Sequence, residues 1–131
     1  MFLDTSGLYS FFDEKDFRNP DAVSRIGVAN FFITHNYVLA EFIPLCLSRG
    51  LNRVKTLEFA ETISKNELIE IIWVNEEIHI KAFNLLKDRL DKSYSLCDAV
   101  SFIVMREHGV TEALTTDRHF EQEGFIKLLI S

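Results

Sequence analysis

This sequence of 131 residues has few of the features that mark secreted or membrane proteins. No apolar run approaches the roughly 20 residues that a membrane-spanning helix needs. The first four residues, Met1 to Asp4, contain neither a basic leader nor the start of a long apolar segment, so nothing here is typical of a secretory signal. We therefore expect a soluble, cytoplasmic protein that folds as one domain over residues 1–131.

Cysteine is also scarce, since the chain has only Cys46 and Cys97. They lie far apart in apolar sequence, with neither the spacing of a zinc knuckle nor the density of a disulfide scaffold, so we expect two buried thiols. The four histidines likewise show no ligand spacing, which disfavours zinc. They are His35, His79, His108 and His119.

Positive charge is in deficit, because 14 basic residues face 20 acidic ones and the formal net charge is -6. Proteins that hold nucleic acid on a broad basic face depend on many lysines and arginines, so this balance argues against such a face. Divalent cations bound to clustered carboxylates would restore positive charge locally. An acidic protein can therefore still act on nucleic acid through a metal site.

What the sequence does contain is an alternation of short apolar runs with helical patterns. We expect strands over residues 2–3, 31–34, 68–74, 112–116 and 125–129. We expect helices over residues 8–12, 20–30, 37–47, 51–60, 77–90 and 95–108. This alternation predicts a three-layer α/β/α sandwich with a mainly parallel central sheet.

Three of these helices carry more specific expectations. Residues 37–47 are apolar nearly all round, which predicts a buried helix with Glu41 as its only charge and a kink at Pro44. The next helix should bury a face that consists of Leu51, Val54, Leu57 and Ala60. The stripe expected on the helix after that consists of Ile78, Ala82, Leu85, Leu86 and Leu90.

Four of the acids stand where the ends of parallel strands would place them. Ligands of open parallel sheets bind outside the carboxyl ends of the strands. Asp4 follows the first predicted strand, Asp117 follows the fourth, Glu41 lies early in the helix after the second, and Asp98 begins its own helix. Four converging carboxylates would repel one another unless a hard cation such as Mg²⁺ or Mn²⁺ lay between them.

Each acid taken singly also has a structural explanation. Asp4 can cap the first helix, Asp98 can complete a capping box with Ser95, and Asp117 can begin a turn or cap a short helix. Glu41 has no such role inside an apolar helix, where an unpaired carboxylate is costly. Considered together, the four acids favour a metal site over four separate coincidences.

At these positions the sequence resembles the PIN-domain family, and within it the VapC-type toxins of toxin–antitoxin pairs. The resemblance covers essentially the whole chain. Its motifs are Leu3-Asp4-Thr5-Ser6, Asn36-Tyr37-Val38-Leu39-Ala40-Glu41, Ser95-Leu96-Cys97-Asp98-Ala99-Val100-Ser101-Phe102 and Leu114-Thr115-Thr116-Asp117-Arg118-His119-Phe120. The resemblance implies an α/β/α fold and Mg²⁺- or Mn²⁺-dependent cleavage of RNA, with Asp4, Glu41, Asp98 and Asp117 as catalytic and metal-binding acids.

The resemblance also implies supporting residues and partners. Supporting or substrate contacts are expected from Thr5, Ser6, Asn36, Ser101, Thr116 and His119. The chain departs from the family pattern at Cys97, where a threonine usually precedes the third acid, so a hydroxyl hydrogen bond would be missing. A small antitoxin protein would dock an apolar helix in a groove and place an arginine or lysine among the acids, and homodimers are common in the family.

In the reaction that this resemblance implies, one or two cations activate water for attack on a phosphodiester and leave a 5′-phosphate and a 3′-hydroxyl. Asp4 and Asp98 are expected to bind metal directly. Phosphate contacts are expected from some of a dispersed set of basic residues, although a solvated surface explains most of them. This set comprises Arg18, Arg25, Arg49, Arg53, Lys55 and Lys65.

Other functions fit less well or stay open. A phosphoacceptor receiver needs an acid pair after its first strand, and a haloacid-dehalogenase phosphatase needs Asp-x-Asp, whereas Thr5 and Ser6 follow Asp4 here. A PIN-domain nuclease of RNA processing or decay without an antitoxin remains open. A domain that binds RNA without cleaving it is less favoured, because all four acids are present.

Overall fold

The computed structural model describes residues 1–131 and contains one five-stranded sheet in which every neighbouring pair is parallel. The strands are β1 (Phe2–Leu3), β2 (Phe32–His35), β3 (Ile69–Ile72), β4 (Glu112–Leu114) and β5 (Ile126–Lys127). Their order across the sheet is β3-β2-β1-β4-β5. The predicted α/β sandwich with a parallel sheet is confirmed.

Seven helices connect and flank these strands. They are α1 (Thr5–Phe12), α2 (Asn19–Val28), α3 (Asn36–Ser48), α4 (Arg53–Lys65), α5 (Glu76–Asp88), α6 (Leu96–Glu107) and α7 (His119–Gln122). None of the helices is both long enough and apolar enough to cross a membrane. The short helix α7 lies inside the segment that the sequence marks as a polar connection between the last two strands.

The core lies on both sides of β1, which is the central strand although it has only two residues. Phe2 is completely buried and Leu3 is 2% exposed. Twenty-five buried apolar residues form one cluster that joins the sheet to the helices. Burial of this apolar surface is the main stabilising contribution, at roughly 25 cal/mol per Å² removed from water.

The prediction that α3 is buried all round is wrong. Only Val38, Phe42 and Cys46 are fully buried on this helix, and Glu41 is exposed. The helix packs one stripe against α1 and α4, and its remaining apolar side chains are partly covered at the surface. An apolar composition therefore indicated more burial than the position of this helix allows.

The predicted buried face of α4 is wrong for two of its four residues, Val54 and Leu57, while Ala60 is buried and Leu51 packs against the core. Val54 is 63% exposed and Leu57 is 40% exposed, whereas Thr56, Ala60 and Ile63 face the core. A search for apolar residues overlooked Thr56, whose hydroxyl donates to the backbone carbonyl of Asn52 and so satisfies its own polarity. On α5, Ile78, Ala82 and Leu85 are buried as expected, but Leu90 lies beyond the helix end and is 86% exposed.

A glycine sets the distance between α1 and β4. A Cβ atom at Gly7 would lie 1.8 Å from the carbonyl oxygen of Leu114 and 2.6 Å from the carbonyl carbon. Only a residue without a side chain allows this approach. It brings the start of α1 against the end of β4, and the backbone N–H of Asp4 donates to the carbonyl of Leu114 at 3.2 Å.

The strand order places a topological switch point at β1. The chain adds β2 and β3 on one side of β1 and later adds β4 and β5 on the other. Ligand sites of parallel sheets form at the carboxyl ends of the strands where the order reverses. Here the residues that follow β1 and β4 are adjacent at that point.

Candidate active site

Asp4 directly follows β1 and is 5% exposed. Its side chain does not cap α1, so the capping explanation for this residue is wrong. The carboxylate instead accepts hydrogen bonds from the hydroxyls of Thr115 at 2.7 Å and Ser6 at 3.4 Å. Burial raises the pKa of Asp4 to about 7, and the nearby charges of Asp98 and Asp117 act in the same direction.

Asp98 both caps a helix and faces the other acids. Its backbone N–H donates to the hydroxyl of Ser95, and its Oδ2 accepts from the backbone N–H of Ser95, each at 3.0 Å. This is the predicted capping box at the start of α6. Burial raises the pKa of Asp98, and the charge of Asp117 raises it further.

His119 joins Asp98 to Asp117. Its Nδ1 lies 3.1 Å from Asp98 Oδ2 and 3.3 Å from Asp117 Oδ1. The potential ligand atoms of these three residues all lie within 4.8 Å of one another. The backbone N–H of His119 also donates to Asp117 Oδ1 at 2.9 Å, which fixes the Asp117 side chain at the start of α7.

Glu41 stands at the edge of this group. Its Oε1 accepts a hydrogen bond from the hydroxyl of Thr5 at 3.0 Å, and Thr5 directly follows Asp4. Burial raises the pKa of the Cys97 thiol, and the neighbouring charges of Glu41 and Asp4 raise it further. Because Glu41 is exposed, the argument that a buried charge must be compensated does not apply to it.

Cys97 occupies the position where the family usually has a threonine, and its side chain is buried beside Glu41 and Asp4. Cys46 is also a buried free thiol, as expected. The Thr5 hydroxyl donates a hydrogen bond to Glu41 beside the Cys97 thiol.

The other predicted supporting residues divide into two groups. Ser6 lies at the site, where its hydroxyl accepts from the backbone N–H of Thr116 at 3.0 Å. Thr116 itself takes part through its backbone. Asn36 instead accepts from the backbone N–H of Val74 at 2.7 Å, and Ser101 hydrogen-bonds the buried His35 at 2.8 Å, so these two residues connect elements of the fold.

The sequence analysis missed Thr115 and chose its neighbour Thr116. Thr115 is completely buried, and its hydroxyl donates to Asp4, accepts from the backbone N–H of Asp117 at 3.0 Å and lies 3.1 Å from the Ser6 hydroxyl. Successive residues of an extended strand point to opposite sides. If this alternation is continued beyond the end of β4, Thr115 and Thr116 point to opposite sides, so only one of them can face Asp4.

Arg118 is a further basic residue near the acids that the expected phosphate contacts did not include. Three of the basic residues expected to contact phosphate have local acidic partners: Arg18 pairs with Asp16, Arg25 with Asp21 and Lys65 with Glu61. Arg118 directly follows Asp117, is exposed and makes no ion pair. It is the cation nearest in sequence to the acidic group.

Comparison with known families shows to which protein family the chain with this arrangement belongs. The family model described as "PIN domain" matches residues 1–125. The chain belongs to the PIN-domain family. The acidic side chains at the carboxyl ends of β1 and β4 are therefore part of a PIN domain.

Two curated relatives of this PIN-domain chain are VapC proteins. The chain is 29% identical over 96 residues to the 23S rRNA-specific endonuclease VapC20 of Mycobacterium tuberculosis, which covers 73% of this chain and 72% of that protein. It is 29% identical over 112 residues to a VapC ribonuclease of Archaeoglobus fulgidus, covering 80% of this chain and 69% of that one. The resemblance to VapC-like toxin ribonucleases is confirmed.

Solved structures agree over nearly the full length. The crystal structure of Mycobacterium tuberculosis VapC20, described as a sarcin–ricin loop cleaving toxin, superposes with a TM-score of 0.90 at 27% identity and covers 98% of both chains. FitAcB from Neisseria gonorrhoeae superposes with a TM-score of 0.64 at 17% identity, covering 96% of this chain and 94% of that one. The second similarity shows a common fold alone.

Proposed function

We propose that this PIN-domain protein is an endoribonuclease toxin that cleaves ribosomal RNA at the acidic group at the ends of β1 and β4. The observation that carries the proposal is the convergence of Asp98, Asp117 and His119 within 4.8 Å, beside the buried Asp4. Asp4, Asp98 and the segment of Asp117 and His119 are distant in sequence and meet at the switch point of the sheet. A purely structural role would not require several acids to share one place.

The side chains at this place fit a divalent cation. Carboxylate oxygens are the ligands that Mg²⁺ and Mn²⁺ prefer. Burial raises the pKa of Asp4 to about 7, and the charges of Asp98 and Asp117 contribute, so the metal-free group favours protonation. A bound Mg²⁺ or Mn²⁺ would supply activation of the attacking water and stabilisation of the charge that develops on phosphate.

The residues of the chain have separate roles in this proposal. Asp98 and Asp117 hold the cation, and Asp4 is oriented toward it by the Thr115 hydroxyl. Glu41 is exposed and held by Thr5, so it can reach the attacking water or the RNA. Hydrolysis by this route leaves a 5′-phosphate and a 3′-hydroxyl.

The substrate that we propose is 23S rRNA, and within it the sarcin–ricin loop. The printed descriptions of VapC20 name these targets, and the similarity to that protein extends over nearly the entire fold. Arg118 is exposed beside the acidic group and makes no ion pair, which suits it to contact an RNA phosphate. Such a contact would partly offset the acidic charge of the chain.

We further propose that an antitoxin helix docks in an apolar groove of about 360 Å³. Nine of its eleven lining residues are hydrophobic, and they come chiefly from α1, α2, α4 and the neighbouring strands. Leu68 lines the groove and is 74% exposed, and Val28, which lies between the lining residues Gly27 and Ala29, is 80% exposed. Exposed apolar side chains around an apolar groove are typical of a helix-binding surface.

A homodimer would use a different surface. Ile80 and Phe83 lie on α5 and are 50% and 45% exposed, and Trp73, just before this helix, is 66% exposed. Burying such aromatic side chains contributes strongly to protein association. The molar mass in solution, measured by light scattering for the native chain and a Trp73→Glu variant, tests this proposal.

The test of the function is RNA cleavage by purified protein with Mn²⁺, with Mg²⁺ or with a chelator. Asp98→Asn keeps an acceptor for the Ser95 N–H but loses the charge, so we expect cleavage of 23S rRNA to fall at least about 100-fold while the fold persists. Asp88→Asn, at the exposed end of α5, is the matched control. Undiminished cleavage by Asp98→Asn would refute the assignment of the site.

Expression in cells separates the toxin from a processing nuclease. We expect the native protein to arrest growth and to generate new 5′ ends in 23S rRNA, and an Asp4→Ala variant to do neither. Arrest by both forms alike would reject nuclease toxicity. RNA cleavage without arrest would instead favour the processing enzyme.

A further inference from the structure

We propose that His119 is a direct nitrogen ligand of the metal and makes this site prefer Mn²⁺ over Mg²⁺. This inference rests on the proposed function, because it requires that Asp98 and Asp117 hold a cation. It adds a ligand to the carboxylates, because it assigns the preference for Mn²⁺ to the imidazole of His119. Three features of the structure support it.

The first feature is the distances around Nδ1. Two ligand atoms that bind one ion at about 2.1 Å and at right angles lie about 3 Å apart. His119 Nδ1 lies 3.1 Å from Asp98 Oδ2 and 3.3 Å from Asp117 Oδ1. These two separations match those of neighbouring ligands in an octahedral shell, and the three atoms all lie within 4.8 Å of one another.

The second feature is the partner of the other ring nitrogen. His119 Nε2 lies 3.2 Å from the Ser93 hydroxyl. Nδ1 is also within hydrogen-bonding distance of Asp98 Oδ2. In the tautomer whose Nε2–H donates to the Ser93 hydroxyl, the lone pair of Nδ1 faces the carboxylates of Asp98 and Asp117, and a cation between them would remove the repulsion. Histidines that bind metals usually donate their remaining N–H to an outer partner in this way.

The third feature is the packing that holds the ring. Tyr94 packs edge-on against the imidazole, with ring centroids 5.1 Å apart and an interplanar angle of 65°. Tyr94 is itself anchored, since its hydroxyl donates at 3.1 Å to Glu123, whose side chain is 5% exposed. Arg89 and Arg106 also donate to Glu123. The imidazole therefore has a fixed orientation before any ion binds, which lowers the entropic cost of coordination.

The chemistry of nitrogen ligands gives the consequence. Mg²⁺ strongly prefers oxygen ligands and retains its waters, whereas imidazole suits first-row transition metals. A shell of two carboxylates and one imidazole therefore increases affinity for Mn²⁺ more than affinity for Mg²⁺. Replacing the imidazole should lower the affinity for Mn²⁺ and leave the affinity for Mg²⁺ nearly unchanged.

The experiment measures metal binding to the purified full-length chain without RNA. Titration calorimetry gives the Kd for Mn²⁺ and for Mg²⁺, and pulsed electron paramagnetic resonance of bound Mn²⁺ reports a directly coordinated ¹⁴N nucleus. The variants are His119→Ala, His119→Asn, which offers an oxygen near the Nδ1 position, and Asp98→Asn. His108→Ala is the control, since the side chain of His108 only donates its Nδ1–H to the backbone carbonyl of Val104.

We expect a ¹⁴N signal in the native chain and in His108→Ala, and its loss in both His119 variants. The Kd for Mn²⁺ should rise at least about tenfold in His119→Ala, while the Kd for Mg²⁺ changes less than about threefold. His119→Asn should bind Mg²⁺ like the native chain. Circular dichroism of each variant checks that the fold is intact.

Contrary results fall into three classes. If Asp98→Asn loses Mn²⁺ while His119→Ala keeps the native Kd values, or if the native complex shows no ¹⁴N signal, the role of His119 is refuted and the proposed function stands. If the native chain binds neither ion at millimolar concentration, both the proposed function and this inference are refuted. Equal losses of Mn²⁺ and Mg²⁺ affinity in His119→Ala would refute the metal preference.

Discussion

The hydroxyl of Thr115 has three polar neighbours at the candidate site: the carboxylate of Asp4, the backbone N–H of Asp117 and the hydroxyl of Ser6. It therefore orients two of the proposed metal-binding acids at once. Thr116, the next residue, contributes only its backbone N–H to this network. The two adjacent threonines form a natural pair for comparison.

We expect Thr115→Val to weaken metal binding and cleavage by about tenfold to 100-fold, because the substitution keeps the shape and removes the hydroxyl that orients Asp4. Thr116→Val should stay close to the native values. Both variants are assayed by metal titration and by the rate of RNA cleavage. Equal behaviour of the two variants would show that the Thr115 hydroxyl does not support the site.

Asp4 should also affect stability in a pH-dependent way. The folded pKa is raised to about 7 from an ordinary value of 3.8, so between these values the folded state binds a proton that the unfolded state has released. The contribution of this carboxyl is fully present below its unfolded pKa and is lost as pH rises toward 7. Asparagine does not titrate and escapes this loss.

We therefore expect Asp4→Asn to gain stability relative to the native chain as pH rises from 4.5 to 7.5, by on the order of 1 kcal/mol per pH unit within that window. Urea unfolding in the presence of a chelator measures the difference. Asp88→Asn, which is exposed, should show no such trend. A constant difference between Asp4→Asn and the native chain would contradict the raised pKa.

At the scale of single residues, the sequence identified the acids better than it explained them. Asp4 and Asp98 were found because they follow a strand or begin a helix, which local patterns reveal. Glu41 was chosen for a burial that it does not have. Thr115 was missed because its importance arises from contact with Asp4, 111 residues away, and no local pattern records that contact.

At the scale of elements, the approach of α1 to β4 depends on Gly7. We expect Gly7→Ala to destabilise the fold by roughly 1–3 kcal/mol, because a Cβ atom would overlap the backbone of Leu114 and force the two elements apart. Metal binding should weaken as well, since Asp4 and Thr115 stand on the separated elements. Urea unfolding and metal titration measure both effects.

Gly27 provides the matched control for this substitution. It also lies inside a helix, α2, but a Cβ atom there would meet nothing within 4 Å. Gly27→Ala should leave stability unchanged or raise it by up to about 1 kcal/mol through better helix propensity. If the two alanine variants were equally stable, close packing at Gly7 would not limit the fold.

Elements with local signals were predicted well, and their packing was predicted less well. The capping box of Ser95 and Asp98 and the terminating Gly109, with its positive φ of 65°, define α6 within the sequence itself. The inward face of α4 depends on which neighbours the helix meets. Its apolar residues lie on more than one side, so periodicity alone did not select Thr56 and Ile63.

At the scale of the whole molecule, the apolar groove gives a test of the antitoxin. Gly27 lines this groove, and the space beyond its Cα is open. We expect Gly27→Glu to preserve folding and RNA cleavage but to prevent docking of an apolar helix, so the variant should arrest growth even in the presence of an antitoxin that neutralises the native protein.

Leu90→Glu controls for the added charge, because Leu90 is 86% exposed and lies outside the groove. This variant should be neutralised like the native protein. Growth curves and co-purification of the two chains provide the measurements. Neutralisation of Gly27→Glu to the native extent would exclude the groove as the docking surface.

The parallel sheet could be predicted from the alternation of elements, but the order of its strands could not. No residue near β4 shows that this strand joins β1 on the side opposite β2. The negative net charge argues only against a broad basic surface that binds nucleic acid. The candidate site concentrates its chemistry in a few side chains, which net charge does not describe.

The position of β1 between β2 and β4 has a consequence for synthesis of the protein. Asp4 leaves the ribosome well before Thr115, the residue whose hydroxyl orients it, because 111 residues separate the two. A nascent chain therefore carries an incomplete site until β4 has been made. The proposed cleavage of rRNA would begin only after synthesis of this later segment.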